Sequence, residues 1–195
     1  MIWHPFIILI LLAVTAVFMV GERVGLRTTP RLLFKGDVKR ETRFLAQYGQ
    51  MVCTAIAAIL VWQIDPSRDH KGRMVPVVVS VVLASVLAYI SKRLLGRVRP
   101  GHEQAGKFLG PSWKHENYRE SFPSSHSACA AALSAGLSWM YPPAAGTFWT
   151  LALICAVLRY LLDAHWPSDV LGGLALGYAC AGGAWWFFIV WHPYW

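Results

Sequence analysis

Residues 159–169 read RYLLDAHWPSD and sit between two long apolar runs. Arg159, His165 and Asp169 fall close together there, yet three polar residues alone are a weak signal. Two further groupings give them company. One is SKRLLGRVRPG, which carries Lys92, Arg99 and Pro100; the other is SFPSSHS, which carries Ser124, Ser125 and His126. Together they make a set suited to phosphoryl transfer. Guanidinium and ammonium groups neutralise a phosphate, and arginine grips two of its oxygens at once. A helix that begins at PSSH adds backbone N–H donors. One histidine can attack phosphorus while a carboxylate holds its other ring nitrogen, and the second can protonate the departing oxygen. Lysine and arginine then neutralise the developing charge, with no metal-ligand cluster in evidence and no cofactor expected.

Each grouping also has a plain structural reading. Lys92 to Arg99 reads as a basic flank of a membrane helix, Ser124 or Ser125 as an N-cap, and Asp169 as the cap of the last helix. His165 reads as an interfacial residue. Arg159 is harder to dismiss, because an ionisable group near the end of an apolar helix is costly and needs a partner.

The elements that must bring these residues together are apolar. The 195-residue chain is 56% hydrophobic and 14% charged, with a formal net charge of +8. Soluble domains carry about 25% charged residues, so lipid is the expected solvent. Six segments are long enough, or nearly so, to cross a bilayer: 2–20, 44–64, 75–91, 126–141, 145–162 and 170–191. The expected fold is therefore all-α, a single domain built as a six-transmembrane-helix bundle, with a short surface helix possible in 22–43. The first segment lacks a basic leader and a cleavage site, and reads as a retained span. Counting alternations places the loops 21–43, 92–125 and 163–169 on one side of the membrane, with 92–125 and 163–169 as the active-site loops. Cys53, Cys129, Cys155 and Cys180 lie inside apolar runs without CxxC spacing, and read as packing residues. Gly173 and Gly177 have the spacing that allows close helix approach. The basic blocks beside apolar runs suit lipid headgroups or phosphate; no basic domain is left over for nucleic acid.

The three motifs resemble those of the type 2 phosphatidic acid phosphatase (PAP2) superfamily of integral-membrane lipid phosphatases. Its patterns K-x6-R-P, P-S-G-H and S-R-x5-H-x3-D correspond to KRLLGRVRP from Lys92 to Pro100, PSSH at 123–126, and LRYLLDAHWPSD at 158–169. The resemblance implies that Lys92, Arg99 and Arg159 hold the phosphate, with hydrogen bonds from Ser124 and the neighbouring backbone. It also implies that His126 is the general acid, that His165 is the nucleophile that becomes phosphohistidine, and that Asp169 orients it. Two positions depart from the pattern. Ser125 replaces its glycine, and the Ser125 hydroxyl can itself donate a hydrogen bond to phosphate; Leu158 replaces its leading serine. Neither removes a cation or a proton-transfer residue.

The resemblance further implies a multi-pass protein of the bacterial inner membrane whose site faces the periplasm and whose partner is a lipid phosphate or pyrophosphate. The distribution of charge points the other way. Loop 22–43 carries Arg23, Arg27, Arg31, Lys35, Lys39, Arg40 and Arg43, against Arg68, Lys71 and Arg73 on the opposite side, and such loops favour the cytoplasm. Two other functions fit the same residues: a phosphotransferase passing the group to another lipid, and a non-catalytic lipid-binding membrane protein.

Overall fold

The computed structural model of the chain describes residues 3–25, 36–114 and 116–191. The described residues contain seven α-helices: α1 (Pro5–Arg23), α2 (Gly36–Leu45), α3 (Met51–Ile64), α4 (Arg68–Leu95), α5 (Ser125–Met140), α6 (Ala145–Leu161) and α7 (Pro167–Trp191). No strand occurs among them, only an isolated bridge between Arg97 and Phe108.

Local chemistry sets the helix ends. Pro5 and Pro167 occupy first helical positions, where the missing N–H costs nothing. Ser67 caps α4 by accepting from the His70 N–H at 3.2 Å. Gly96, at φ 60°, stops α4 in the left-handed region. A Cβ there would stand 2.3 Å from the Gly110 carbonyl oxygen, so both the turn and the packing require glycine.

Helix α5 is the axis of the bundle. Every residue from Ser127 to Met140 is buried, and α4, α6 and α7 surround it, with α1 outside α7 and α3 outside α4. The close approach of α5 and α7 depends on two glycines. A Cβ on Gly173 would lie 2.5 Å from the Ser124 carbonyl oxygen, and one on Gly177 would lie 2.0 Å from that of Ala128. The outer faces of the surrounding helices expose large apolar side chains such as Leu9, Val17, Ile56, Val86, Val157 and Trp186, as expected of surfaces meeting lipid tails.

The expected six spans are not established. Four helical stretches, Pro5–Arg23, Arg68–Leu95, Pro142–Leu161 and Pro167–Phe188, are long and apolar enough to cross a membrane. The expected run 44–64 is interrupted: α2 ends at Leu45, the chain turns, and α3 restarts at Met51 with 14 residues. Gly49, at φ 86°, makes that turn directly against α5, where a Cβ would meet the Ala130 nitrogen at 2.3 Å. Helix α5 has 16 residues; being enclosed by protein, it is not required to match the lipid thickness. The expected span 75–91 is longer at both ends, and 170–191 begins three residues earlier, at Pro167. The surface helix expected within 22–43 corresponds in part to α2, while residues 26–35, with Arg27, Arg31 and Lys35, lie outside the described residues.

The end of the bundle remote from the motif residues has its own polar lock. Asp65 accepts from the His70 ring at 2.6 Å, from the Ser67 N–H at 2.8 Å and from the Tyr141 hydroxyl, joining the α3–α4 turn to the end of α5.

Gly177→Val should drive side-chain atoms into the α5 backbone, lowering stability by about 3 kcal/mol or preventing folding. Gly183→Ala, whose added Cβ meets nothing within 4 Å, should behave like the parent chain. Thermal unfolding of both variants in detergent checks the contrast.

Candidate active site

The motif residues arrive from four helices and two loops. Lys92 lies in the last turn of α4 and Arg99 in the loop that follows; Ser125 and His126 open α5; Arg159 lies in the last turn of α6; His165 precedes α7 and Asp169 lies in its first turn. All six charged or titratable members converge. His126 lies within electrostatic reach of Arg159, His165, Lys92 and Arg99, and Lys92 is coupled to Arg99, Glu120, Arg159 and Asp169.

Burial divides them into two layers. Lys92, Arg99, Ser125, His126 and Arg159 are half-buried, whereas His165 is 1% exposed and Asp169 and Ser124 are fully buried. The half-buried layer has unspent donors. The Nε atoms of Arg99 and Arg159 are both shielded and have no hydrogen-bond partner among the described residues. Two such guanidinium groups within electrostatic reach of one another suit an anion with several oxygens. Arg99 is further steadied through Nη2, which donates to the Glu120 carbonyl at 3.4 Å. Burial pulls the Arg99 guanidinium below its ordinary range, with Glu120 and Asp169 opposing the shift.

The deeper layer fixes the chemistry of His165. Its Nδ1 lies 2.8 Å from the Ser121 carbonyl oxygen. A carbonyl only accepts, so Nδ1 carries the proton and Nε2 keeps the lone pair needed for attack. The Asp169 carboxylate lies 3.7 Å from Nδ1, close enough to stabilise positive charge on the ring, although the direct hydrogen bond goes to the carbonyl. Burial, above all, holds the His165 imidazole down at about pH 4, with Asp169 opposing and Lys92 and Arg159 reinforcing the shift. The ring is therefore neutral at physiological pH.

Asp169 is fully committed. Its Oδ2 accepts from the Ser121 hydroxyl at 2.5 Å and from the Trp166 N–H at 2.9 Å, the latter capping α7. Its Oδ1 accepts from Arg97 Nη1 at 2.5 Å. The cap reading of Asp169 is thus met by the Trp166 N–H, and the same carboxylate oxygen lies 3.7 Å from His165 Nδ1. Ser124 is the N-cap of α5: its hydroxyl oxygen accepts from the Ser127 hydroxyl at 3.0 Å, and its N–H donates to the Asp169 carbonyl at 2.9 Å. Ser125 carries the half-buried hydroxyl at that helix end.

Sequence reasoning missed Arg97, Ser121, Ser168 and Glu22. Arg97 was visible inside KRLLGRVRP, and Glu22 as an acid closing an apolar run, but neither position has a spacing that announces a partner. Trp166 ties the site loop down. Its Nε1 donates to the Val98 carbonyl at 3.1 Å, and its ring lies 5.5 Å from the Arg97 guanidinium.

The model of the PAP2 superfamily matches residues 73–192, which include all three motifs. The chain belongs to the PAP2 superfamily. Among its PAP2 relatives, a lipid A 1-phosphatase of Rhizobium johnstonii is 36% identical over 99 residues, covering 50% of this chain and 41% of the relative. An undecaprenyl-diphosphatase of Sulfolobus acidocaldarius is 32% identical over 143 residues, covering 69% of this chain and 63% of the relative. The matches therefore span less than two thirds of these relatives' lengths. Two solved structures share the PAP2 fold. LpxE of Aquifex aeolicus gives a TM-score of 0.61 at 18% identity, covering 87% of this chain and 93% of that one. The first transmembrane PAP2 type phosphatidylglycerolphosphate phosphatase from Bacillus subtilis gives 0.56 at 17% identity, covering 99% and 100%.

Replacing Arg159 by Gln removes one of the two guanidinium groups whose Nε has no partner among the described residues. Binding of inorganic phosphate, followed by calorimetry on protein in detergent, should weaken about tenfold or more, the scale of one charged hydrogen bond. Unchanged affinity would remove Arg159 from the anion site.

Proposed function

We propose that this PAP2 protein dephosphorylates an amphiphilic lipid phosphate or pyrophosphate, without a metal, through a phosphohistidine intermediate. The observation that carries this reading is the pairing of a neutral, tautomer-fixed imidazole with three cations at one end of an apolar bundle. The kinship with proteins named lipid A 1-phosphatase and undecaprenyl-diphosphatase supports it.

In the proposed reaction Lys92, Arg99 and Arg159 bind the phosphate oxygens, aided by Ser125 and the first N–H groups of α5. The lone pair of His165 Nε2 attacks phosphorus as the bond to the lipid oxygen breaks. His126 delivers a proton to that oxygen, so the lipid leaves as a neutral alcohol or as a shorter phosphate. Positive charge appears on the His165 ring, where Nδ1–H remains on the Ser121 carbonyl and Asp169 lies alongside. Water, giving up its proton to the now neutral His126, then attacks phosphorus and breaks the P–N bond. Orthophosphate departs and both histidines return to their starting states. The three fixed cations supply the charge stabilisation required in both displacements. The substrate's tail remains among the exposed apolar side chains of the bundle while its head enters the basic site.

The site is assigned to the periplasmic face of a bacterial inner membrane, in keeping with the family resemblance and against the count of basic residues in 22–43. Glu103, exposed in the 101–118 loop, offers a test. In intact cells a Glu103→Cys variant should react with a membrane-impermeant maleimide, and labelling only after lysis would place the site in the cytoplasm.

Phosphate release from a panel of lipid phosphates, measured on purified protein with a chelator present, tests the chemistry. Activity should survive chelation and fall about a thousandfold or more in His165→Ala. Full activity in that variant would refute the mechanism. The protonated His165 ring has no lone pair to attack with, so kcat/KM should decline as pH falls through about 4. A limb at the ordinary histidine value of about 6.5 would mean that the buried ring is not the group titrating.

A further inference from the structure

Behind Asp169 lies a second buried carboxylate that belongs to none of the motifs. Glu22 is in the last turn of α1 and lies outside the residues matched by the family model, 73–192. Its side chain is 2% exposed. Glu22 Oε2 accepts from Arg97 Nη2 at 2.7 Å and from the Ser168 hydroxyl at 2.6 Å, and Oε1 accepts from the Ser168 N–H at 3.1 Å. Arg97 is 1% exposed and completes the chain, its Nη1 donating to Asp169 Oδ1 at 2.5 Å and to the Ser168 hydroxyl oxygen at 2.6 Å. Arg97 is further enclosed by the rings of Phe108 at 5.2 Å and Trp166 at 5.5 Å. One buried guanidinium therefore joins two buried carboxylates, and Glu22 also takes up an N–H at the start of α7, the helix that carries Asp169.

We propose that Glu22 is a positioning residue for the reaction: by engaging Nη2 of Arg97 it confines that guanidinium to one oxygen of Asp169, leaving the other oxygen to face His165. The argument rests on the geometry of arginine. Left alone with one carboxylate, a guanidinium closes onto both of its oxygens. In such a fork Oδ2 would be drawn from the Ser121 hydroxyl, the Trp166 N–H and the His165 ring. Glu22 holds the far nitrogen and prevents the fork. Its charge has a second effect. Arg97 balances one of the two carboxylates, so the buried cluster keeps a net negative charge on the Nδ1 side of His165, where positive charge develops during attack. Among the described residues Glu22 is bonded to Arg97 and Ser168, not to Lys92, Arg99 or Arg159. Losing the carboxylate should therefore impair the attack step and spare substrate binding.

This assignment rests on the phosphohistidine reading, and the experiment separates the two. Glu22→Gln keeps the shape of the side chain and removes its charge. In folded protein, judged by its melting temperature and by unchanged affinity for inorganic phosphate, kcat should fall about tenfold or more while KM stays within about twofold. Ser168→Ala removes the hydroxyl shared by Glu22 and Arg97 and leaves every charge in place; a smaller loss of kcat, again at constant KM, is expected. It serves as the deciding variant should Glu22→Gln fail to fold. Parent-like kcat in the folded Glu22→Gln chain, or in Ser168→Ala where that chain does not fold, would overturn the assignment. So would a rise in KM equal to the loss of kcat, which would make Glu22 a substrate-binding group. His165→Ala runs beside them. If it is inactive while Glu22→Gln is fully active, only the role of Glu22 fails; if it remains active, the phosphohistidine reading itself fails.

Discussion

The contact between the backbones of α5 and α7 is the constraint on which the site depends. Gly173 and Gly177 let the two helices approach until carbonyl oxygens of Ser124 and Ala128 occupy the space a side chain would need. At the motif end the approach becomes a hydrogen bond from the Ser124 N–H to the Asp169 carbonyl. That bond joins the starts of two helices that are 42 residues apart in order of their first residues, Ser125 and Pro167. His126 and His165 flank these starts, so the spacing of the two imidazoles is set by contact between main chains. In a bilayer, where apolar surfaces gain little by leaving lipid, such close packing of small residues is a principal source of helix association.

Charge is then arranged in depth. The cations Lys92, Arg99 and Arg159 are half-buried, whereas Asp169, Arg97 and Glu22 form a buried, mutually paired group. A lone carboxylate at zero exposure would be prohibitively costly, and the pairing with Arg97 makes it tolerable. The same pairing gives Asp169 a fixed orientation, which Ser121 and the Trp166 N–H complete. The network thus reaches from the first helix to the last.

Much of this was legible in the sequence. Residue type and spacing singled out Lys92, Arg99, His126, Arg159, His165 and Asp169, because each lies at or near a helix end where polarity interrupts an apolar run. The GxxxG spacing also correctly pointed to a close helix contact. The length rule was less informative. It treated 44–64 as one span, but the turn at Gly49 is specified by contact with Ala130, residues far away in sequence. It also assumed that each helix faces lipid, whereas α5 is enclosed and can be short. The partners of Asp169 were illegible for a similar reason. Arg97 and Glu22 meet only once α1 has docked on α7, and no local period encodes that encounter. The acceptor for His165 is a main-chain carbonyl, which has no letter in the sequence.

That carbonyl has a regiochemical consequence. An imidazole offers two nitrogens to an electrophilic phosphorus, and free histidine forms both phosphoramidate isomers. With Nδ1–H held at 2.8 Å by Ser121, only the nitrogen remote from the main chain is nucleophilic, so a covalent adduct would be a single isomer. Two successive inversions at one fixed ring would then return the phosphorus to its original handedness.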